Sequence, residues 1–196
     1  MAWIEPVELI GEAVALRPLA CRHAAALSEA VADGEVWNLW YTRIPAPDKV
    51  EAEIERRLAL QEAGSMLAFV VEEKQTARVL GMTSYMNIEP QHRRLEIGST
   101  WYRASAQRTA VNTECKELLL KHAFETLSCI AVEFRTSSFN LRSRAAIERL
   151  GANLDGILRS HQIVESNLLR DTYVYSIVAT EWPGVRRNLQ WLLSRR

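Results

Sequence analysis

The sequence predicts a mixed α/β fold of the α+β kind, a mostly antiparallel central sheet flanked by helices. Three consecutive runs, "MLAFVVEE", "RVLGMTSYMNIE" and "RRLEIGSTWY", are rich in Val, Ile, Thr, Met and Tyr and are separated by polar turn material, as in an antiparallel meander. Helical and strand-like patterns then alternate, in the order helix, strand, helix and two final strands. No internal repeat, low-complexity tract or linker interrupts the 196 residues, so 1–196 reads as a single domain.

An arm at residues 1–12 precedes "AVALRPL" (13–19), whose alternation predicts a strand. "CRHAAALSEAVAD" is rich in the strong helix formers Ala and Leu and stops near Asp33 and Gly34. The aromatics and prolines of "VWNLWYTRIPAP" predict a long surface loop. Asp48 then supplies an N-cap for a helix reaching about Ala63, with Val50, Ile54 and Leu58 along one stripe and Gly64 as terminator. Beyond the meander, residues 111–127 form an amphipathic helix. Val111, Cys115, Leu118, Leu119, Ala123 and Leu127 fall on one side, and Thr113, Glu114, Glu117 and Lys121 on the other. "IAVEFRTS" (130–137) reads as a buried strand, and "NLRSRAAIERLG" (140–151) as a short helix between an Asn140 N-cap and Gly151. "DGILRSHQIVE" and "RDTYVYSIVATEW" are two strands joined by "SNLL", and residues 183–196 close the chain as a helix with Val185, Leu189 and Leu192 in register.

Composition removes several function classes. Lys plus Arg and Asp plus Glu both total 24, so no basic field recruits nucleic acid. No run of apolar residues is long enough to span a membrane, and the N-terminus has no basic segment ahead of its apolar residues, which predicts a cytoplasmic protein. Cys21, Cys115 and Cys129 are too few and scattered for a disulfide framework, and His23, His92, His122 and His161 have no metal-ligand spacing, so no metal is expected. Trp191, Leu192 and Leu193 on the last helix pack either on its own sheet or on a second copy, which makes a homodimer one expected arrangement.

The stretch "AQRTAVNTECKELLLKHAFETL" (106–127) carries the functional signal. A strand runs into the start of its helix, where free N–H groups and the helix dipole favour an anion. Glycines let backbone approach a phosphate in such loops, and this one has none, so taken alone the loop reads better as a capped helix start than as an anion site. From Val14 to about Trp182, however, the chain resembles the GNAT acetyltransferases, most closely their RimJ/RimL-like branch. The residues Gln107-Arg108-Thr109-Ala110-Val111-Asn112 stand where that family has a Gln/Arg-x-x-Gly-x-Gly/Ala loop, followed by Thr113-Glu114-Cys115 where the branch often has Thr-Glu-Ala. Asn140 and Ser143, with Leu150-Gly151-Ala152 and Gly156, are similar to a second family block.

The resemblance implies an N-acetyltransferase that moves acetyl from acetyl-CoA to a primary amine of a protein N-terminus, an amino acid or another small molecule. It implies a GNAT-like fold in which "RRLEIGSTWY" and "IAVEFRTS" splay apart to hold the pantetheine arm. Gln107, Arg108, Thr109, Ala110, Val111, Asn112 and Thr113 would hold the pyrophosphate, and Asn140 and Ser143 the arm. Glu96 is the expected general base, its pKa raised by burial, and Gly98 inside that strand is consistent with a bulge. Ile147 stands where many relatives have a tyrosine acid. That leaves Ser143 as the donor, or a thiolate that departs unaided, and it keeps open a catalytically inactive CoA-binding or sensing module. Trp37, Trp40 and Tyr41 would wall the acceptor site, with Arg159 and Arg170 drawing a carboxylate if they face the cleft. Aromatic core packing and a surface Arg–Asp pair with Asp171 explain the same residues without an acceptor.

Overall fold

The computed structural model describes residues 3–164 and 167–195. The first two residues of the arm, Glu165 at the end of the expected strand "DGILRSHQIVE", Ser166 of the "SNLL" turn and the last arginine lie outside the described residues. The strands are β1 (Leu9–Ile10), β2 (Val14–Pro18), β3 (Met66–Glu73), β4 (Val79–Glu89), β5 (Arg94–Tyr102), β6 (Ala131–Ser137), β7 (Asn153–Ile163) and β8 (Leu169–Val178). The helices are α1 (Ala24–Ala32), α2 (Val50–Glu62), α3 (Val111–Lys121), α4 (Leu141–Glu148) and α5 (Trp182–Ser194).

All eight strands join in one sheet of order β1-β2-β3-β4-β5-β6-β8-β7, antiparallel except where β5 meets β6. The meander β3-β4-β5 follows from short polar turns, whereas β6 can lie parallel to β5 only because α3 carries the chain back across a face. The sheet separates two apolar layers. Phe69, Tyr85 and Leu95 face α3 and α5 with Leu119 and Leu189, while Val70, Met82 and Trp101 face α1 and α2 with Leu27 and Ile54.

Most elements fall where their patterns put them, with three corrections. Asp48 does not cap α2: a 3-10 turn over Pro47–Lys49 leads into the helix, Lys49 holds the N-cap position without a side-chain bond, and Asp48 pairs with Lys49 at 3.4 Å. The predicted helix over 111–127 is α-helical only to Lys121 and then widens into a π turn, His122–Thr126, closed by the Leu127 N–H donating to the His122 carbonyl at 3.0 Å. Thr113 and Glu114, read as facing away from the core, are buried, because α3 packs on α5 and the β1-β2 turn as well as on the sheet. The Glu114 carboxylate accepts the N–H groups of Glu12 and Ala13, so it fastens the N-terminal arm. Asn140 caps α4 as expected, accepting the Ser143 N–H at 3.0 Å, and Gly151, at φ +101°, turns the chain out of that region. The C-terminal helix buries Val185 and Leu189 against its own chain.

Candidate active site

The site begins where the sheet comes apart. β5 and β6 pair over only three positions, Arg94 with Ala131, Leu95 with Val132 and Glu96 with Glu133. Past Glu96 each strand keeps its other neighbour: β5 stays on β4 as far as Tyr102, and β6 stays on β8 as far as Ser137. The wedge between them opens into a cleft of about 960 Å³ bounded also by the loop after α1 and the starts of α3 and α4.

One wall of the wedge carries a bulge. Ser84 pairs with Gly98 and Met82 with Trp101, so Thr83 alone stands opposite Ser99 and Thr100, and Ser99 takes a left-handed φ of +48°. The irregularity thus falls one residue past Gly98. Gly98 serves a different end, since a Cβ there would come within 2.7 Å of the Glu96 Oε1. Its missing side chain is the space the carboxylate occupies.

Two buried cations grip this bulge from opposite faces of the sheet. Arg57 of α2, 1 % exposed, donates to the Ser84 hydroxyl at 3.0 Å and the Ser99 carbonyl at 3.1 Å, and its charge is met by Glu53 at 2.7 Å. Lys116 of α3, 6 % exposed, donates to the Thr100 hydroxyl at 2.9 Å, and the Thr83 and Thr100 hydroxyls bond to each other at 2.8 Å. Burial pulls the Lys116 pKa down to about 8. Sequence reasoning missed both. The signal was there: Arg57 lies three residues after Ile54, and Lys116 four before Leu120, so each is a cation on the apolar stripe of its helix.

Glu96 sits at the vertex, on the last paired residue of β5, and is 5 % exposed. Its Oε2 accepts from the Asn87 amide at 2.7 Å and lies 3.6 Å from Arg135 Nε. Burial raises its pKa to about 7; Arg135 and Asn87 oppose that rise, and Glu133 adds to it. A carboxylate so held exchanges a proton near neutrality.

At the start of α3 the glycine-free loop reaches its turn by putting Arg108 at φ +61°. Gln107, Arg108 and Asn112 line the cleft, whereas Thr109, Ala110 and Val111 do not. The Thr109 hydroxyl donates to the Ala106 carbonyl at 2.7 Å and accepts the Val111 N–H at 3.3 Å, so it braces the loop and engages a donor expected to face a ligand. The Gln107 amide also donates inward, to the Tyr102 carbonyl at 3.0 Å. Thr113 is corrected outright: it is buried, and its hydroxyl accepts from Arg149 at 2.9 Å. Across the wedge Asn140, Ser143 and Ile147 line the cleft together.

The acceptor side is half as expected. Tyr41 and Arg170 line the cleft, but Trp37, Trp40 and Arg159 do not. Trp37 packs on the α1 and α2 layer, and Trp40, 59 % exposed, rests on Phe139 at 5.1 Å and Tyr41 at 5.6 Å between ring centroids. Arg159 is exposed on the edge strand β7. Asp171 accepts the Ser160 N–H at 2.7 Å instead of pairing with an arginine. Among the described residues, no group of three or more His, Cys, Asp or Glu could hold a metal, and no helix is long and apolar enough to cross a membrane.

The site is thus a sheet parted between two parallel strands, with a helix start at its mouth and a buried carboxylate of near-neutral pKa at its vertex. Residues 14–153 match the acetyltransferase (GNAT) domain, and the chain belongs to that family. It is similar to a GCN5-related N-acetyltransferase from Brucella melitensis, at 27 % identity over 97 % of this chain and 86 % of that one, with a TM-score of 0.85. Mycobacterium smegmatis RimJ, solved in complex with CoA-disulfide, aligns at 25 % identity over 91 % of this chain and 88 % of that one, with a TM-score of 0.75. The Bacillus subtilis (strain 168) protein named "Putative ribosomal N-acetyltransferase YdaF" is 31 % identical over 104 residues, 53 % of this chain and 56 % of that protein's length.

Proposed function

We propose that the chain transfers an acetyl group from acetyl-CoA to a primary amine by direct attack on the thioester. The single observation that carries this is the Glu96 carboxyl, titrating near 7 at the vertex of the parted strands. In this reading the unpaired edges of β5 and β6 receive the amide groups of the pantetheine arm. Arg108, Asn112 and the N–H groups of the first turn of α3 beyond Val111 meet the pyrophosphate. Asn140 keeps its capping bond and faces the arm, with Ser143 beside it.

Glu96 takes a proton from the ammonium, directly or through water, and the freed amine forms its bond to the thioester carbonyl carbon as the carbon–sulfur bond breaks. The backbone at the Ser99 bulge is suited to donate to the carbonyl oxygen. The departing sulfur takes a proton from Ser143 or leaves as thiolate, since Ile147 has nothing to give. The name of YdaF, a putative ribosomal N-acetyltransferase, favours a protein amine as the acceptor, and an N-terminus, an amino acid or another small molecule fits the same chemistry. A cytoplasmic location accords with it.

Titrating the protein with acetyl-CoA in a calorimeter, alongside Asn112→Asp, tests the reading. Micromolar binding that the variant loses is expected, because the new carboxylate stands where the pyrophosphate would lie. A wild-type protein that binds no acetyl-CoA sinks the reading. Ile147 favours one competing reading, a CoA-binding module without catalysis; release of CoA thiol in the presence of an amine excludes it.

A further inference from the structure

The far wall of the cleft holds a guanidinium with no counter-ion. Arg170, on β8, is half-buried, and its Nη1 donates to the Gln162 side chain at 3.3 Å. That bond fixes the plane of the group. Its Nε is buried without a hydrogen-bond partner, and none of the carboxylates among the described residues forms an ion pair with it. The chain treats its other enclosed guanidiniums differently: Arg57 has Glu53, Arg103 has Asp33, and Arg135 has Glu133. A second cation, Arg43 on the loop after α1, also lines the cleft, and with burial it pulls the Arg170 pKa down.

Two like charges beside an enclosed, unbonded N–H are unfavourable unless something anionic arrives. Nε is closed to water and to a ligand oxygen alike, so a partner for the charge that arrives in the cleft must meet the rest of the guanidinium. With Nη1 held by Gln162 and Nε enclosed, Nη2 is the donor left to meet a carboxylate in the cleft. The same cleft holds Glu96, whose charge acts on Arg170, so an anion at this arginine belongs to the acceptor side.

We infer that the acceptor amine carries a carboxylate, and that Arg170, with Arg43 nearby, selects it; this rests on the acetyl-transfer reading above. The carboxylate is either an amino acid's own or an acidic side chain next to a peptide's N-terminus. Matched pairs separate these sources: β-alanine against β-alaninamide, and a Ser-Asp-Gly peptide amide against Ser-Asn-Gly.

The measurement is kcat/KM from CoA thiol release. In one pair the carboxylate member should exceed its carboxamide by about tenfold or more. That ratio should fall toward one in Arg170→Gln and recover in part in Arg170→Lys. A wild-type ratio near one in both pairs, or a ratio that Arg170→Gln leaves unchanged, overturns the inference. Calorimetric binding of the N-acetylated acids and amides, with CoA present, reads the same preference without turnover. A preference there that Arg170→Gln abolishes supports the inference even if no acetyl transfer occurs, and the failure then belongs to the transfer reading. No preference in binding overturns the inference whatever the transfer result.

Discussion

Replacing Glu96 by Gln keeps the volume of the side chain and its acceptor toward Asn87 while removing the charge. Its pKa is raised from 4.5 to about 7, so the folded protein holds a proton there that the unfolded chain gives up earlier. Stability from this group is therefore intact below pH 4.5 and is lost as pH climbs through 7. At about 1.4 kcal/mol per unit, the full loss is about 3 kcal/mol. Glu96→Gln, indifferent to pH, should match the wild type near pH 4 and exceed it by up to about 3 kcal/mol at pH 8, roughly 6–12 °C in melting temperature. The assay is a pair of urea melts at each pH, with CoA thiol release measured in parallel. Turnover should fall sharply, and wild-type kcat/KM should rise with pH through an inflection near 7. A stability difference that is the same at pH 4 and pH 8 would refute the claim that burial governs this carboxyl. Unchanged turnover would remove it from the mechanism.

Lys116→Met should also stabilise, in the opposite pH window. The folded pKa lies below the unfolded value of 10.5, so the cost of the buried charge is full below about 8 and is relieved as pH rises toward 10.5. The gain, up to about 3 kcal/mol at pH 7, should shrink across that interval in denaturant melts, and a gain that does not shrink contradicts the assignment. Arg57→Met should instead destabilise by about 2–3 kcal/mol, since it leaves the Ser99 carbonyl and the Ser84 hydroxyl without their donor, while Glu53 keeps its second partner, Arg56. A chemical melt within 1 kcal/mol of wild type, on the order of a surface change, would show that the arginine does not hold the bulge.

The strands were legible because each is a short run of β-branched and aromatic residues bounded by polar turns, and β3 and β6 lie within a residue of their expected ends. Glu96 was singled out through the family resemblance, and the structure buries it as that reading expected, whereas Asn140 was legible because an N-cap is local chemistry. Asp48 failed because the chain enters α2 through a tighter turn, which its composition does not announce. Thr113 and Glu114 failed for a more general reason: the sheet accounts for one side of α3, but α5 and the N-terminal arm, distant in sequence, cover others. Trp37 and Trp40 show the same limit. An aromatic in a loop declares that it will pack, not on which side of the loop.

The parted strands have a further consequence. An exposed sheet edge invites another chain to add to it, and proteins guard such edges with charge, bulges or cover. Here two free edges face one another inside a single molecule, one along β5 beyond Glu96 and one along β6 beyond Glu133, and the bulge kinks the first out of the flat form another strand would need. The halves of the sheet are thus joined by backbone bonding over only three residue pairs, and much of their mutual orientation rests on the helical layers. A molecule that fills the wedge would complete the ladder as well as occupy a site, so binding and cohesion of the two halves become one event.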